Sequence, residues 1–440
     1  MKVFARIHVA LVFIFLMASP LQAAKQPPNF IFILVDDLGA DQLASYGHPA
    51  HRTPNLDRLA REGMQFRTCY TVPVCSPSRA LLLTGRYGFR TGWFNFTGRP
   101  GSPTATNANY DLGRAEKTFA HMLKQAGYAT GLAGRWLEYG NEHAQIPSAG
   151  FDEYLVWAIW GDKLPPGVKH TGAWERSGAV TSRYWNPCLI RNGEYVPTQP
   201  EDYGPDLVNK FCREFLPRPR YLPFLLYYPM ILVQSPYPRV PDVEHPGQRK
   251  KGNLQSFVEY TDHLVGKLVD ELDRLGLGEN TIVFFAGDNG TEGLGKRTAT
   301  ERGARVPFIV RCPGTVKAGV ICDALTDFSD VLPTLAEFAG APLPRGLVLD
   351  GRSLAPVLTG KTTRHREWIF SYLEDKRILR DSRWLLEGDG RFYDCGSDRD
   401  GQYAEVTTAS SREARRARAR FDKILQQLPA WDPGGASINN

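Results

Sequence analysis

The stretch NFIFILVDD, residues 29–37, carries the first evidence of fold. Six apolar residues follow one another with no polar alternation, the mark of a strand covered on both faces. The same texture returns at PFLLYY (223–228), at TIVFFA (281–286) and over residues 306–310. Helical patterns lie between these runs. Thr53 and Pro54 cap and start a helix that stops near Gly63. Residues 116–126 read as a helix, with a short strand at 128–133. Residues 253–275 form a long amphipathic helix with Phe257, Leu264, Leu268 and Leu272 on one stripe. Residues 330–338 form another, ending at Gly340. Strands alternating with helices predict an α/β fold with a mostly parallel central sheet and helices on both faces. Ligands in such sheets bind beyond the carboxyl ends of the strands. The residues directly after each apolar run are therefore the ones that matter.

From about residue 367 the texture changes. Short strand-like pieces at 368–373, 377–379, 384–386 and 391–393 alternate with tight turns, one of them Glu387-Gly388-Asp389-Gly390. They predict a small C-terminal antiparallel sheet. A final arginine-rich helix at 411–428 turns Phe421, Ile424 and Leu428 inward. At the other end, Lys2 and Arg6 precede an apolar run at 9–18 and a small-residue site at Ala23 or Ala24, the pattern of a secretory signal peptide. That run is short for a membrane anchor, so export without a lasting membrane link is expected, to a periplasm or the medium. The expected division is a signal peptide at 1–23, a main domain at 27–363 and a C-terminal subdomain at 364–440.

The 440 residues carry a formal charge of +6, of which Lys2 and Arg6 supply two in the leader. No basic, aromatic-rich stripe is present, which argues against nucleic-acid binding. The seven cysteines show no zinc-like spacing. Export permits disulfides, and an odd count leaves one thiol over if the rest pair.

Asp36 and Asp37 directly follow the first strand, and Asp288 and Asn289 directly follow TIVFFAG. Either pair alone reads as an ordinary polar turn. Both at strand ends make an all-oxygen set suited to calcium or magnesium. Cys75 stands before Ser76-Pro77, a helix cap followed by proline, and a helix N-terminus favours anions. Arg79 lies one turn on and can reach the same anion. A buried or disulfide cysteine and a surface arginine are the plain alternatives until the full string is considered.

That string is CSPSRALLLTGR, residues 75–86. It matches C-x-P-S-R-x-x-x-L-T-G-R at every fixed position, and so resembles the signature of the type I, formylglycine-dependent sulfatases of the alkaline phosphatase-like superfamily. The resemblance runs on through NFIFILVDDLGADQLASYG, TPNLDRLAREGMQF, GYATGLAGRW, GDNG, KRTATERGARVPFIVRCPG and LDGRSLAPVLTG. It implies an alkaline phosphatase-like fold and an exported sulfuric ester hydrolase. In that family a separate formylglycine-generating enzyme oxidises the motif cysteine, here Cys75, to an aldehyde whose hydrate is the nucleophile. The family's ligands for one calcium ion map onto Asp36, Asp37, Asp288, Asn289 and the modified Cys75. Its motif arginine maps onto Arg79, and its sulfate-contacting lysine onto Lys296. The implied substrate is a sulfated small molecule or a sulfated glycan.

Three positions depart from the family pattern. Its G-K-W-H segment is Gly134-Arg135-Trp136-Leu137 here, so Arg135 replaces a lysine and Leu137 an imidazole. A histidine usual after the strand PFLLYY is Gln234, which can hydrogen-bond a sulfate ester but cannot act as a general acid. Arg135 and Gln234 nonetheless fall at catalytic positions. These losses leave open a related phosphate or phosphonate ester hydrolase, and a non-catalytic binder of sulfated glycans. His143 and His170 lie outside every motif and read as surface histidines. Specificity is expected in the loops at 93–109 and 141–187. There Trp157, Trp160, Trp174 and Trp185 read as packing anchors first and as ring-stacking platforms second.

Overall fold

The computed structural model describes residues 26–95, 112–137, 142–158, 183–218, 221–396, 403–407 and 411–429. Five parallel strands form the middle of the main sheet, in the order Thr281–Gly287, Asn29–Val35, Phe224–Pro229, Ala129–Gly134 and Glu153–Trp157. Antiparallel strands flank them. Arg305–Arg311 and Met64–Tyr70 extend one side, and Leu189–Arg191 and Glu194–Val196 the other. Val320–Cys322 and Thr326–Asp327 run parallel to Met64–Tyr70 at that edge. The sheet is thus mixed, with its parallel strands at the centre. The strand expected at 306–310 is present but runs antiparallel to its neighbours. Met64–Tyr70, which holds Gln65 and Arg67 among its apolar residues, is a strand the sequence reading passed over.

The unbroken apolar run of the first strand has a simple cause. Phe30, Phe32 and Leu34 enter one core, while Ile31, Ile33 and Val35 enter a second on the opposite face. Helices cover both. Leu254–Arg274 buries Phe257, Leu264, Leu268 and Leu272 in the second core, and Asn253 starts it by accepting from Ser256 N at 2.8 Å. Val331–Ala339 and Cys75–Thr84 pack into the first. Every residue of Cys75–Thr84 is buried, so this helix runs through the interior. It ends at Gly85 with φ 68°, a left-handed cap that glycine adopts without strain. The helix expected at 116–126 is shorter, Phe119–Gln125, because Thr118 and His121 form a capping box at its start.

The C-terminal strands Trp368–Leu373, Lys376–Asp381, Trp384–Leu386, Phe392–Asp394 and Ala404–Glu405 pair antiparallel in chain order. The final helix, Arg412–Gln427, buries Phe421 against Phe392 with ring centroids 5.7 Å apart. Phe370, Tyr372 and Leu379 of this sheet join the first core, so the subdomain shares its interior with the main sheet. All seven cysteines are buried, and no disulfide joins any two of them. Among the described residues no helix is long and apolar enough to cross a membrane.

Candidate active site

The parallel register that pairs Val35 with Gly287 sets Asp36 and Asp37 beside Asp288 and Asn289. Arg135 follows the strand Ala129–Gly134, and Gln234 lies just beyond Phe224–Pro229. All these side chains emerge at the carboxyl ends of adjacent parallel strands. Gly134 permits the approach of Arg135. It sits at φ 126°, where a Cβ would lie 1.9 Å from the Pro229 carbonyl oxygen. Cys75 and Arg79 come from the buried helix opposite.

The helix begins two residues earlier than the Ser76-Pro77 cap signal implied. Its N-cap is Val74 and its first residue is Cys75. Ser76 does not cap; its hydroxyl donates to the Leu137 carbonyl at 3.2 Å. Cys75 Sγ and one oxygen each of Asp36 and Asp288 lie within 4.8 Å of one another, all buried. Arg79 binds two of these groups together. Its Nη2 donates to Asp36 Oδ2 at 2.9 Å and to Asp288 Oδ2 at 2.7 Å, and its Nε to the same Asp288 oxygen at 3.1 Å. Asp37, at φ 61°, is held by its own N–H donating to Asp288 Oδ1 at 2.9 Å and by Asn289 Nδ2 donating to its Oδ1 at 2.8 Å.

Arg135 Nη1 donates to Asp36 Oδ2 and, at 2.7 Å, to Gln234 Oε1. The same Gln234 oxygen accepts from Arg183 Nη1, and Arg183 Nη2 donates to the Ser235 carbonyl. Arg183 was not anticipated. It stands in the stretch SRYWNP, which has no motif, and only the folded chain brings it to the site. Trp157 is fully buried beneath both arginines, with its ring 5.6 Å from Arg135 and 5.3 Å from Arg183. It is an anchor, not a platform for a sugar. Trp185 donates to the Arg239 carbonyl at 2.6 Å and lies under Arg249. Trp160, Trp174 and His170 lie outside the described residues, as do most of the loops at 93–109 and 141–187.

The electrostatics follow from crowding three carboxylates in a dry space. Burial pushes Asp288 up to about 7, aided by Asp36 and opposed by Arg79. Burial raises Asp37 too, against the pull of Lys296. Burial also acts on Asp36, but Arg135 and Arg79 outweigh it and hold that carboxyl below its ordinary value. Cys75 is pushed up to about 12, chiefly by burial, so the thiol stays protonated at neutral pH. Burial works against the charge of Lys296, yet Cys75, Asp37 and Asp36 together raise it. Asp36 Oδ1 and Asn289 Oδ1 are buried oxygens with no hydrogen-bond donor among the described residues. Buried acceptors of this kind are costly unless something positive meets them. The donor set fits a hard divalent cation.

A family model described as Sulfatase matches residues 28–341. The chain belongs to the sulfatase family. This sulfatase is 34% identical over 382 residues to arylsulfatase A of Bos taurus, a match covering 80% of this chain and 72% of the relative. It is 32% identical over 359 residues to N-acetylgalactosamine-6-sulfatase of Rattus norvegicus, covering 76% of this chain and 66% of that one. The crystal structure of Ps i-CgsB in complex with k-i-k-neocarrahexaose shares its fold, with a TM-score of 0.74 over 93% of this chain and 94% of the other at 24% identity. The family and its relatives make this sulfatase a hydrolase of sulfuric esters.

Proposed function

We propose that this sulfatase cleaves sulfate esters through Cys75 converted to formylglycine by a separate maturation enzyme, with one calcium ion per chain. Asp36, Asp37, Asp288, Asn289 and the modified residue 75 would hold the ion. The observation that carries this reading is the meeting of Cys75, Asp36 and Asp288 within 4.8 Å, beside two buried oxygens that lack donors. A thiol pushed up to about 12 is a poor nucleophile at neutral pH, which suits a cysteine that serves as a precursor. Hydrated formylglycine supplies one hydroxyl to attack sulfur and a second whose deprotonation expels sulfate. A bound calcium ion would supply Lewis-acid stabilisation of charge on the sulfate oxygens.

The chain's own groups do the positioning. Arg79 fixes Asp36 and Asp288 and offsets their charge. Lys296 gives one of its three donors to Asp37 at 2.7 Å and keeps others for a sulfate oxygen. Gln234 turns its oxygen to Arg135 and Arg183, which leaves its amide N–H groups to meet a substrate oxygen.

The substrate class follows the relatives. One relative is named N-acetylgalactosamine-6-sulfatase and a fold neighbour was solved in complex with k-i-k-neocarrahexaose, so a sulfated glycan or a sulfated small molecule is proposed. The leader expected at 1–23 supports maturation and catalysis outside the cytoplasm. Mass spectrometry of the peptide spanning residues 68–79, from protein co-expressed with a formylglycine-generating enzyme, tests the nucleophile. The expected result is the aldehyde at residue 75, with turnover of an aryl sulfate well above that of the matching aryl phosphate. A thiol at residue 75, in cells that convert a known sulfatase, overturns the reading.

A further inference from the structure

Lys296 lies on the segment joining Asn289 to Ala304, whose regular structure is one short helix, Glu301–Ala304, and whose remainder is held by turns and by ties to its surroundings. Three successive amides, those of Leu294, Gly295 and Lys296, converge on the Thr291 carbonyl at 3.0, 2.9 and 3.2 Å. Gly293, Leu294, Arg297 and Thr298 are exposed. Arg297 sits at φ 62°. Segments this open take their position from what they are tied to.

Gly39 N donates to Thr291 Oγ1 at 3.0 Å and Ser235 Oγ to a Glu292 oxygen at the start of the segment, and the ties flanking Lys296 on its C-terminal side come from two further directions. On the nucleophile side, Arg297 N donates to the Pro73 carbonyl at 2.8 Å, two residues before Cys75. On the other side stands the C-terminal sheet. Gly388 N donates to the Ala299 carbonyl at 2.8 Å, and Glu387 Oε1 accepts from Glu301 N at 2.8 Å. Arg380 of the same sheet pairs with Glu301 Oε1 and donates to Tyr403 Oη at 2.7 Å. The approach is backbone-close. A Cβ at Gly388 would lie 2.5 Å from Ala299 Cβ and 3.0 Å from its carbonyl oxygen. Glu387 is buried, and its second oxygen meets Arg391 Nη2 and Tyr393 Oη at 3.4 Å. The turn at 387–390 thus serves as more than a surface hairpin.

We infer that this turn is a clamp for Lys296: Glu387, acting through Glu301, is a positioning residue for hydrolysis although it lies in the C-terminal subdomain and touches no reacting atom. The inference rests on Lys296 acting in the proposed reaction. Catalytic groups displaced by about 1 Å lose up to about a hundredfold in rate.

Two measurements test it. The first is a double-mutant cycle on aryl sulfate turnover with Glu387→Ala and Lys296→Ala. Glu387→Ala is expected to lower kcat about ten- to a hundredfold with a smaller change in KM. Glu387→Gln, which keeps the acceptor oxygen, is expected to restore most of it. In the Lys296→Ala background the Glu387→Ala change should cost nothing further. An equal loss in both backgrounds overturns the clamp. The second is amide hydrogen exchange over residues 294–301, which needs no turnover. Faster exchange there in Glu387→Ala, with the central strands unchanged, supports the clamp. Unchanged exchange overturns it. Wild-type protein inert toward every aryl sulfate would sink the proposed reaction, and the exchange result would still decide the clamp.

Discussion

Lys296 Nζ donates to Asp37 Oδ2 at 2.7 Å across a separation of 259 residues, and both side chains are buried. The pair joins the proposed cation-binding corner to the group proposed to meet the sulfate. Burying an ammonium is costly unless a partner repays it, and Asp37 is that partner. Lys296→Ala is expected to lower kcat for an aryl sulfate about 10²–10³-fold, the usual loss when one preorganised donor to a developing charge is removed. Steady-state kinetics on folded, formylglycine-containing protein check this. A loss below tenfold would remove Lys296 from the chemistry.

Removing divalent metal tests the corner itself. Asp36, Asp37 and Asp288 are buried, and Asp36 Oδ1 and Asn289 Oδ1 have no hydrogen-bond donor among the described residues. Chelation is expected to abolish turnover and lower the unfolding temperature, and calcium to restore both. At a hundred times its dissociation constant a bound ion adds about 2.7 kcal/mol of stability. Asp288→Asn should lose most of the calcium-dependent rise. An unfolding temperature indifferent to chelator and calcium would argue that no ion is held here.

Much of this was legible in the chain because it is local. The apolar run at 29–35 names a doubly covered strand, and the polar pairs after it and after TIVFFAG fall at strand ends. What was not legible depends on tertiary proximity. Arg183 reaches Gln234 only after the chain has folded back across 51 residues. Ser76 looked like a helix cap, but the Leu137 carbonyl competes for its hydroxyl, and the helix starts at Cys75. Met64–Tyr70 carries polar residues because it lies toward the edge of the sheet, outside the parallel centre. The Glu387 turn could be read as a turn, but not as a neighbour of Ala299.

A pH effect away from the site is expected at Asp262. Burial pushes this carboxyl up to about 6 from 3.8, even though it accepts from Leu56 N and Asn55 Nδ2, both at 2.8 Å. A raised carboxyl favours the folded state in its protonated form. Its contribution is full below about pH 4 and is lost as pH rises through about 6. The total is roughly 3 kcal/mol. Urea unfolding between pH 4 and 7 should therefore show the stability of wild type minus that of Asp262→Asn falling as pH rises. A difference that is flat across the window would show that the carboxyl titrates normally.

The last prediction concerns the leaving group. Around Gln234 the structure gathers Arg135, Arg183 and the Tyr184 hydroxyl, which donates to the Gln234 carbonyl. Burial raises the Tyr184 phenol above its ordinary value, so it is a weak proton source at neutral pH. General acid help is worth about 10²–10⁴-fold, and an alkoxide needs it far more than a phenoxide. Across a series of sulfate esters, kcat/KM is expected to fall steeply as the alcohol becomes less acidic. Gln234→His should flatten that slope and add a pH limb near the imidazole range, gaining most on the poorest leaving groups. A wild-type series with no dependence on the alcohol would mean that a proton donor serves the departing oxygen, and the search would then turn to the loop residues between Trp157 and Arg183.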